Sequence, residues 1–341
     1  MKRNLFALCL AVTLLLAGAV QAQSDRKGTA GAQYLLVPVT ASTATLGAAY
    51  TAGGTSVSAL ESLLSNPAGL AQNDGTGVIF SRTNYVADIG INYFGVAQNF
   101  GNNSIALTLS SWDFGDIPLQ TENQPTISSR TYSASTIVAG LTYGRQFTDR
   151  ISAGVTAKAL SERIDDVNSS GVAFDIGMAY TVGESGLRFG VSLQNFGPSM
   201  NFGGNGLVQF NRLTNQRANA TPNAVSLEGA DYELPSQLNF GATYTRSLGT
   251  SASVTALTNF RSNSFSEDEY SGGLELGFAN ILYVRGGVQL QENMDESFYE
   301  GYNFGGGLNL DVNGTALRVD YGYRSVEFFD AVNMITASVT L

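Results

Sequence analysis

The sequence has no histidine and a single cysteine, Cys9, among its 341 residues. Without histidine it lacks the commonest general base and the commonest metal ligand. Without a second cysteine it cannot form an intramolecular disulfide. Charged residues make up only 13% of the chain, against roughly 25% in an ordinary soluble domain. These absences argue against an enzyme, a metal centre and a disulfide-stabilised fold, and no cofactor is expected.

Positive charge and long apolar runs are also scarce. The net charge is −10, so nucleic acid, whose phosphates require a basic surface, is not an expected partner. After residue 22 the chain has no run of about 18 apolar residues, which excludes a membrane-spanning helix. If the protein spans a membrane, it must do so as a closed β-barrel, because only helices and barrels satisfy every backbone polar group in lipid.

The N-terminus has the features of a secretory signal peptide, expected at residues 1–22. Lys2 and Arg3 precede an apolar stretch at 5–20, and the small-residue site that follows predicts cleavage after Ala22. Cys9 lies inside the apolar stretch, so no lipid anchor is expected and the mature chain contains no cysteine.

From 77 to 341, apolar residues alternate with polar or small ones in segments of about 9 to 11 residues, the length of a tilted membrane-spanning strand. The clearest segment places on one face Val172, Phe174, Ile176, Met178 and Tyr180. The pattern predicts a transmembrane antiparallel β-barrel of about fourteen strands. They lie near 77–86, 89–99, 104–113, 132–147, 151–164, 171–181, 187–195, 237–246, 251–261, 270–278, 281–291, 302–312, 315–324 and 331–341.

The links between these strands alternate in length, as they do in bacterial barrels with short periplasmic turns and long outer loops. Short links lie at 101–103, 148–150, 247–250, 279–280 and 313–314, and longer ones at 114–131, 165–170, 196–236, 262–269, 292–301 and 325–330. The link at 86–88 is the exception. This order predicts a protein of the cell outer membrane, in contact with its lipid, with both termini in the periplasm. A soluble sandwich or propeller explains the alternation and the low charge poorly.

Aromatic residues gather near strand ends, as the interfacial girdles of a membrane barrel do. The expected girdle residues are Trp112, Phe147, Tyr180, Phe260, Tyr270, Phe278, Tyr302 and Tyr323.

Residues 23–76 lack sustained alternation. The sequence Ser-Ala-Leu-Glu at 58–61 has the form of a capping box and predicts a short helix through Leu64. The helix is expected to end at Asn66, because a residue before proline disfavours the helical region. A segment of this size predicts a plug inside a barrel that spans 77–341.

Several motifs carry a family resemblance. They are Gly-Ala-Ala-Tyr at 47–50, Ala-Leu-Glu at 59–61, Ser-Asn-Pro-Ala-Gly-Leu-Ala at 65–71, Tyr-Leu-Leu-Val-Pro at 34–38, Ser-Leu-Gln-Asn-Phe-Gly at 192–197 and Leu-Pro at 234–235. Together they resemble FadL-like outer-membrane proteins, and more closely the PorV/PorQ family associated with the type IX secretion system. The resemblance implies a fourteen-stranded FadL-like barrel with an N-terminal plug.

Two functions follow from this resemblance. The PorV/PorQ branch implies type IX secretion, in which the barrel binds the C-terminal domains of secreted cargo and associates with the translocon and the sortase. The FadL branch implies a channel for uptake of hydrophobic small molecules. A mature chain of about 319 residues is shorter than a typical FadL transporter, which favours the secretion function.

Two groups of candidate site residues belong to the barrel interior. The plug motif, which either controls passage or only ends a helix, consists of Asn66, Pro67, Ala68 and Gly69. Charges expected to face the lumen form either a polar pathway or plug anchor, or ion pairs that only fill the interior. They are Lys158, Asp175, Arg285, Asp311, Arg318 and Asp320.

Two further groups belong to the outer loops. The loop at 196–236 either binds a protein partner or folds over its own barrel, and its candidate contact residues are Phe202, Phe210, Arg212 and Arg217. Acidic loop residues either bind a divalent cation or are simply solvated, the latter being favoured, so no metal site is expected. They are Glu267, Asp268, Glu269, Glu292, Asp295, Glu296 and Glu300.

Overall fold

The computed structural model describes residues 28–54, 56–119, 131–211, 221–292, 294 and 298–341. The expected signal peptide and the candidate residues Arg212, Arg217, Asp295 and Glu296 lie outside the described residues. Helical elements are short: two α-helices, Ala41–Thr45 (α1) and Ala59–Ser62 (α2), and 3-10 turns at Gln33–Leu36, Pro67–Gln72, Val86–Asp88 and Asn205–Leu207. In the described chain, no helix is long and apolar enough to cross a membrane.

The strands account for most of the described chain. They are Thr76–Asn84 (β1), Gly90–Phe100 (β2), Asn103–Pro118 (β3), Thr131–Thr148 (β4), Ile151–Ile164 (β5), Val167–Thr181 (β6), Leu187–Phe196 (β7), Val208–Asn211 (β8), Asn223–Ser226 (β9), Gln237–Leu248 (β10), Ala252–Asn263 (β11), Glu269–Phe278 (β12), Leu282–Gln291 (β13), Tyr299–Val312 (β14), Thr315–Val326 (β15) and Val332–Thr340 (β16). All but β8 and β9 form one closed barrel, in which β1 pairs antiparallel with β16.

The fourteen predicted barrel strands are confirmed, each to within a few residues. The β8–β9 hairpin was not predicted, because each of its strands has only four residues and shows no sustained alternation. It lies in the long connection between β7 and β10.

Alternation along the strands turns apolar side chains outward and polar ones inward. On β6, Ile176 is 57% exposed whereas its neighbour Asp175 is 2% exposed. The same contrast recurs on β15, where Val319 is 54% exposed and Asp320 is 1% exposed. Because successive side chains of a strand point to opposite faces, the orientation of one side chain fixes the orientation of all the others in that strand. The outer face is therefore the apolar band that a bilayer would cover.

The expected aromatic girdle holds for most positions but is wrong for Trp112. Phe304 stacks on Tyr323 with ring centroids 4.5 Å apart, on the outer face. Trp112 is 3% exposed and packs inward, with its ring 6.1 Å from that of Tyr34 and 5.9 Å from that of Tyr85. Its position on β3 has the inward parity, which proximity to the strand end does not change.

The barrel has two distinct ends. At one end, the turn end, two-residue or similarly short connections join the strands, including Asn313-Gly314 between β14 and β15. The other, the long-loop end, carries the connection from β7 to β10. β1 begins and β16 ends at the turn end, where the backbones of Thr76 and Leu341 exchange two hydrogen bonds. The predicted alternation of connections is reproduced except at 165–170, which was expected to be long: β5 and β6 pair as far as Ile164 and Val167, so only residues 165–166 connect them.

Residues 28–54 and 56–75, here the luminal segment, run through the barrel from one end to the other. At the long-loop end, Ala30 forms a parallel bridge with Glu233. Further along, the N–H of Ala41 donates to Thr336 on the inner wall (2.9 Å), and Asn73 leads into β1 at the turn end. The first described residues therefore lie at the end of the barrel opposite to Leu341, because the luminal segment spans the lumen. The orientation of the two termini in the membrane stays a prediction.

Glycine lines the inner wall where the luminal segment touches it. A Cβ placed on Gly287 would lie 2.5 Å from the backbone nitrogen of Gly47, and one on Gly144 would lie 2.9 Å from that of Ala71. Close approach of the two backbones therefore requires that these wall residues have no side chain. Other inward glycines in similar contact are Gly154, Gly177, Gly190, Gly241, Gly273 and Gly322.

Replacement of one wall glycine should displace the luminal segment. We expect Gly287→Val to expose a reporter cysteine at Ala44, a buried position in α1, and to speed its maleimide labelling about tenfold, because overpacking costs about 1–3 kcal/mol. The matched control is Gly286→Val on the same strand, where the nearest atom would be 3.8 Å from the new Cβ. Equal labelling rates in the two variants would contradict this packing.

Candidate functional site

The predicted plug motif lies deep in the lumen, at the contact between the luminal segment and β6. Asn66 is extended and its Oδ1 accepts a hydrogen bond from the N–H of Ala68 (3.0 Å), which caps the turn that Pro67 begins. Its Nδ2 donates to the carbonyl oxygen of Thr51 (2.8 Å) and to that of Met178 on β6 (3.1 Å). One amide thus joins the turn, a second part of the segment and the barrel wall. Whether it also controls passage stays a proposal.

Ala68 and Gly69 complete the motif by being small. Ala68 is fully buried, and a Cβ on Gly69 would lie 2.7 Å from the Cβ of Ser62 in α2. The motif is therefore a compact corner between two short helices.

The predicted luminal charges Arg285, Arg318 and Asp320 meet on the inner wall near the turn end. Arg285 Nε lies 2.6 Å from Glu275 Oε2, and its Nη1 lies 2.6 Å from Asp320 Oδ1. Arg318 Nε lies 2.5 Å from Asp320 Oδ2. Ser56 of the luminal segment donates to Glu275 (2.8 Å) and accepts from Arg285 Nη2 (2.9 Å). The charges are paired, as the simpler interpretation predicts, and they also anchor the segment.

Glu61 brings a third carboxylate towards this group. It belongs to the predicted capping box, which is present: Ser58 Oγ accepts from the N–H of Glu61, while Glu61 receives the N–H of Ser58. Ser42 Oγ donates to its other oxygen, and the side chain is fully buried. We call Glu61, Glu275, Asp320, Arg285 and Arg318 the arginine cluster; it contains three carboxyl groups and two guanidinium groups.

The excess of carboxyl groups affects the titration of Glu61. Burial raises the pKa of Glu61 above its ordinary value of 4.5, and the charge of Asp320 raises it further. The charges of Arg318 and Arg285 and the hydrogen bond from Ser42 act in the opposite direction without cancelling the rise. Docking of the luminal segment is consequently favoured by the protonated form of Glu61.

Lys158 and Asp175, the other predicted luminal charges, lie on neighbouring strands and form an ion pair of 2.6 Å. Lys158 also donates to Asn195 Oδ1 (2.8 Å), and Asp175 accepts from the N–H of Asn195 (2.8 Å). Asn195 has a φ of 57°, and between Phe174 and Ile176 the register of β6 against β7 shifts by one residue. The ion pair therefore closes a β-bulge in the wall. Asp311 is not part of either group: it accepts from Gly314 at an exposed turn (3.1 Å).

Next to this bulge lies a cavity of about 110 Å³, the first cavity, between the luminal segment and the wall. Its segment side is largely apolar and is formed by Leu35, Leu36, Val37, Pro38, Val39, Leu63 and Leu64, together with Tyr93, Trp112 and Val138 of the barrel. Its other side carries hydroxyl, amide and charged groups, namely Thr108, Ser110, Thr156, Lys158, Asp175, Gln194, Gln237, Asn239 and Arg261.

The base and the tip of the long loop differ, and binding of a protein partner by this loop stays a prediction. Its base folds over the barrel, with Met200 and Leu234 buried and the Phe202 ring 5.6 Å from that of Tyr232. The β8–β9 hairpin, by contrast, carries Phe210 with 73% of its surface exposed. Phe202 is therefore half-buried against Tyr232, whereas Phe210 is exposed.

Two of the described acidic loop residues have protein partners. Asp268 accepts from the N–H of Asn263 (3.3 Å), and Glu269 is paired with Arg261 (2.9 Å). Among the described residues, no group of three or more acidic, cysteine or histidine side chains could hold a metal ion.

Three participants were not anticipated from the sequence. Glu275 could have been found, because it occupies the inward position between Leu274 and Leu276. Ser56 could not, since nothing local distinguishes it from neighbouring residues. The role of Asn195 depends on a register shift that only the paired strands reveal.

The raised pKa of Glu61 predicts that docking of the luminal segment depends on pH. Because its folded pKa is raised, its contribution to docking is complete below pH 4.5 and is lost as the pH rises through the folded value. Labelling of a cysteine at Ala44, divided at each pH by labelling of one at the exposed turn residue Asp149, should therefore accelerate with rising pH. Glu61→Gln keeps a capping-box residue and should remove this dependence. An unchanged pH dependence in Glu61→Gln would show that another group is responsible.

Comparison with known proteins identifies the fold. No protein-family model and no curated protein matches the chain. Among solved structures, it is similar to the CymD monoaromatic hydrocarbon channel (TM-score 0.55, 13% identity, 89% of this chain and 97% of that one). It is also similar to the Ralstonia pickettii toluene transporter TbuX (0.51, 11%, 92% and 98%) and to a Pseudomonas aeruginosa FadL homologue (0.50, 12%, 89% and 98%). The chain therefore has the fold of FadL-like barrels.

Proposed function

We propose that the protein is an outer-membrane channel that carries small, largely apolar molecules through its lumen. The observation that carries this proposal is the first cavity, which lies between the luminal segment and the wall and is mainly apolar on the segment side. Ligand sites are typically concave, with apolar walls and a few polar groups. An engineered apolar cavity of about 150 Å³ accepts benzene, so a cavity of about 110 Å³ suits a molecule of roughly one ring.

The apolar outer face and the likeness in fold support the membrane location. Residues such as Leu107 (62% exposed) and Ile335 (58% exposed) would be unfavourable in water and favourable against lipid. The long-loop end would face the outside, as in other bacterial barrels. Structures similar in fold are described as hydrocarbon channels and a toluene transporter, and we extend that substrate class to this chain.

The β-bulge at Asn195 is the proposed exit from the first cavity. Asp175, Lys158 and Gln194 line the cavity and belong to the bulge or contact it. A bulge locally disrupts the hydrogen-bond ladder, so this part of the wall opens at lower cost than a regular pair of strands. Exit here would deliver an apolar molecule to the lipid on the other side of the wall.

Secretion by the type IX system is the second candidate function, supported by the exposed Phe210 on the β8–β9 hairpin. Cargo domains, translocon and sortase would then contact the long-loop end. Deletion of the gene separates the two functions. Periplasmic accumulation of proteins with a common C-terminal signal domain, reversed by the intact gene, would support secretion. Slower uptake of toluene with unchanged secretion would support the channel.

Filling the first cavity should block uptake. Ser110 lines the cavity from β3, whereas its neighbour Ser111 has the opposite parity. We expect Ser110→Phe to reduce the initial rate of toluene uptake by intact cells about tenfold or more, because the ring occupies the space that the substrate needs. Ser111→Phe should leave the rate unchanged. Equal rates in the two variants at equal barrel abundance would exclude the first cavity as the route.

A further inference from the structure

A second cavity, of about 320 Å³, opens at the long-loop end beside the first. On one side it is bounded by Leu36 and Val37, near the start of the luminal segment. On the other side it is bounded by strands β11 to β15 where they reach the long-loop end. Phe298 adds to its apolar lining. We call it the mouth cavity.

One of its two arginines is neutralised. Arg261 Nη1 lies 2.9 Å from Glu269 Oε2 and its Nε donates to Asn239 Oδ1 (3.0 Å). Gln289 Nε2 donates to the same oxygen of Glu269 (2.5 Å). Glu269 is therefore occupied by protein donors, and the pair contributes no net charge.

The second arginine, Arg324 on β15, is not neutralised within the described chain. It is 3% exposed, yet the only hydrogen bond it donates to a described residue runs from Nη2 to Gln289 Oε1 (2.8 Å). Its Cζ lies 3.4 Å from the centre of the Tyr299 ring. Its Nε is buried without a partner, and no described carboxylate lies within 4.0 Å of its nitrogens.

Burying the Arg324 guanidinium without enough acceptors is unfavourable unless a ligand supplies the missing acceptors. A guanidinium group has five N–H donors, and leaving buried donors without acceptors is unfavourable. The guanidinium group is planar and lies over the Tyr299 ring, so the donors that remain lie in one plane. Among the described residues that line the mouth cavity, Arg324 thus carries the one positive charge without a paired carboxylate, and it lies beside apolar side chains.

We propose that the mouth cavity binds the carboxylate of a small organic acid. The planar carboxylate accepts from Arg324, and the apolar part of the acid lies against Leu36, Val37 and Phe298. A monoanion matches the single uncompensated charge better than inorganic phosphate does. The inference rests on the proposed channel function only for its use, as a subsite that selects substrates carrying a carboxylate; binding itself does not depend on transport.

Benzoate is the probe, measured by calorimetry with the purified full-length protein in detergent. We expect wild-type protein to bind benzoate, Arg324→Gln to weaken binding about tenfold or more, and Arg324→Lys to weaken it less, since lysine keeps the charge and loses the planar fork. Arg163→Gln, at an exposed position of the same end, should bind as wild type does. Heat-dependent migration on gels verifies that each variant is folded, and Arg324→Lys carries the test if Arg324→Gln does not fold.

Benzyl alcohol and inorganic phosphate separate the contribution of the ring from that of the negative charge. Benzyl alcohol has the same ring without the charge, and phosphate has charge without the ring, so both should bind at least about tenfold more weakly than benzoate. Equal binding of benzyl alcohol, or benzoate affinity that Arg324→Gln and Arg324→Lys leave unchanged, would overturn the proposal. Stronger binding of phosphate would overturn the assignment to a carboxylate. Loss of uptake in Ser110→Phe with benzoate binding intact would separate this site from the route through the first cavity.

Discussion

The backbone contact between the luminal segment and the glycine-lined inner wall is the constraint on which the rest of the structure depends. A barrel of fourteen strands is wider than its own inward side chains can fill, and larger barrels enclose cavities or channels. Here a length of chain fills the lumen, and it approaches closely because residues such as Gly287 and Gly144 present no Cβ. The first cavity and the mouth cavity lie between this segment and the inner wall.

Polar contacts fix the luminal segment to the barrel wall at a few positions. Asn66 ties it to β6, and the arginine cluster receives Ser56 from it. These groups are deeply buried, so each carboxylate or guanidinium that loses its partner costs several kcal/mol, about 3–5 kcal/mol for a buried pair. Lys158 and Asp175 apply the same principle to the wall itself, where they stabilise a bulge beside the first cavity. The lumen thus combines a docked segment with a wall that is locally weakened next to the space for a substrate.

Much of this architecture follows from local sequence patterns. The period of two places Ile176 outward and Asp175 inward, and it places Lys158 on the same inner face, diagonally across one hairpin from Asp175. The capping box at Ser58 is equally local and was predicted from four residues. The positions of Trp112 and Asn195 were not, because strand parity and a register shift depend on pairing between strands. The partners of Arg324 depend on how several strands and the luminal segment pack together. They cannot be predicted from any short stretch of sequence.

The central claim is that an apolar ring occupies the first cavity on its way through the barrel. Bromobenzene is the most direct probe, because anomalous diffraction from crystals soaked with it locates the bromine without assumptions about the route. The account predicts a bromine peak between Trp112 and the apolar side of the luminal segment, near Val39 and Leu63. Bromine peaks confined to the outer, lipid-facing surface, with none in the first cavity of a well-ordered crystal, would contradict it.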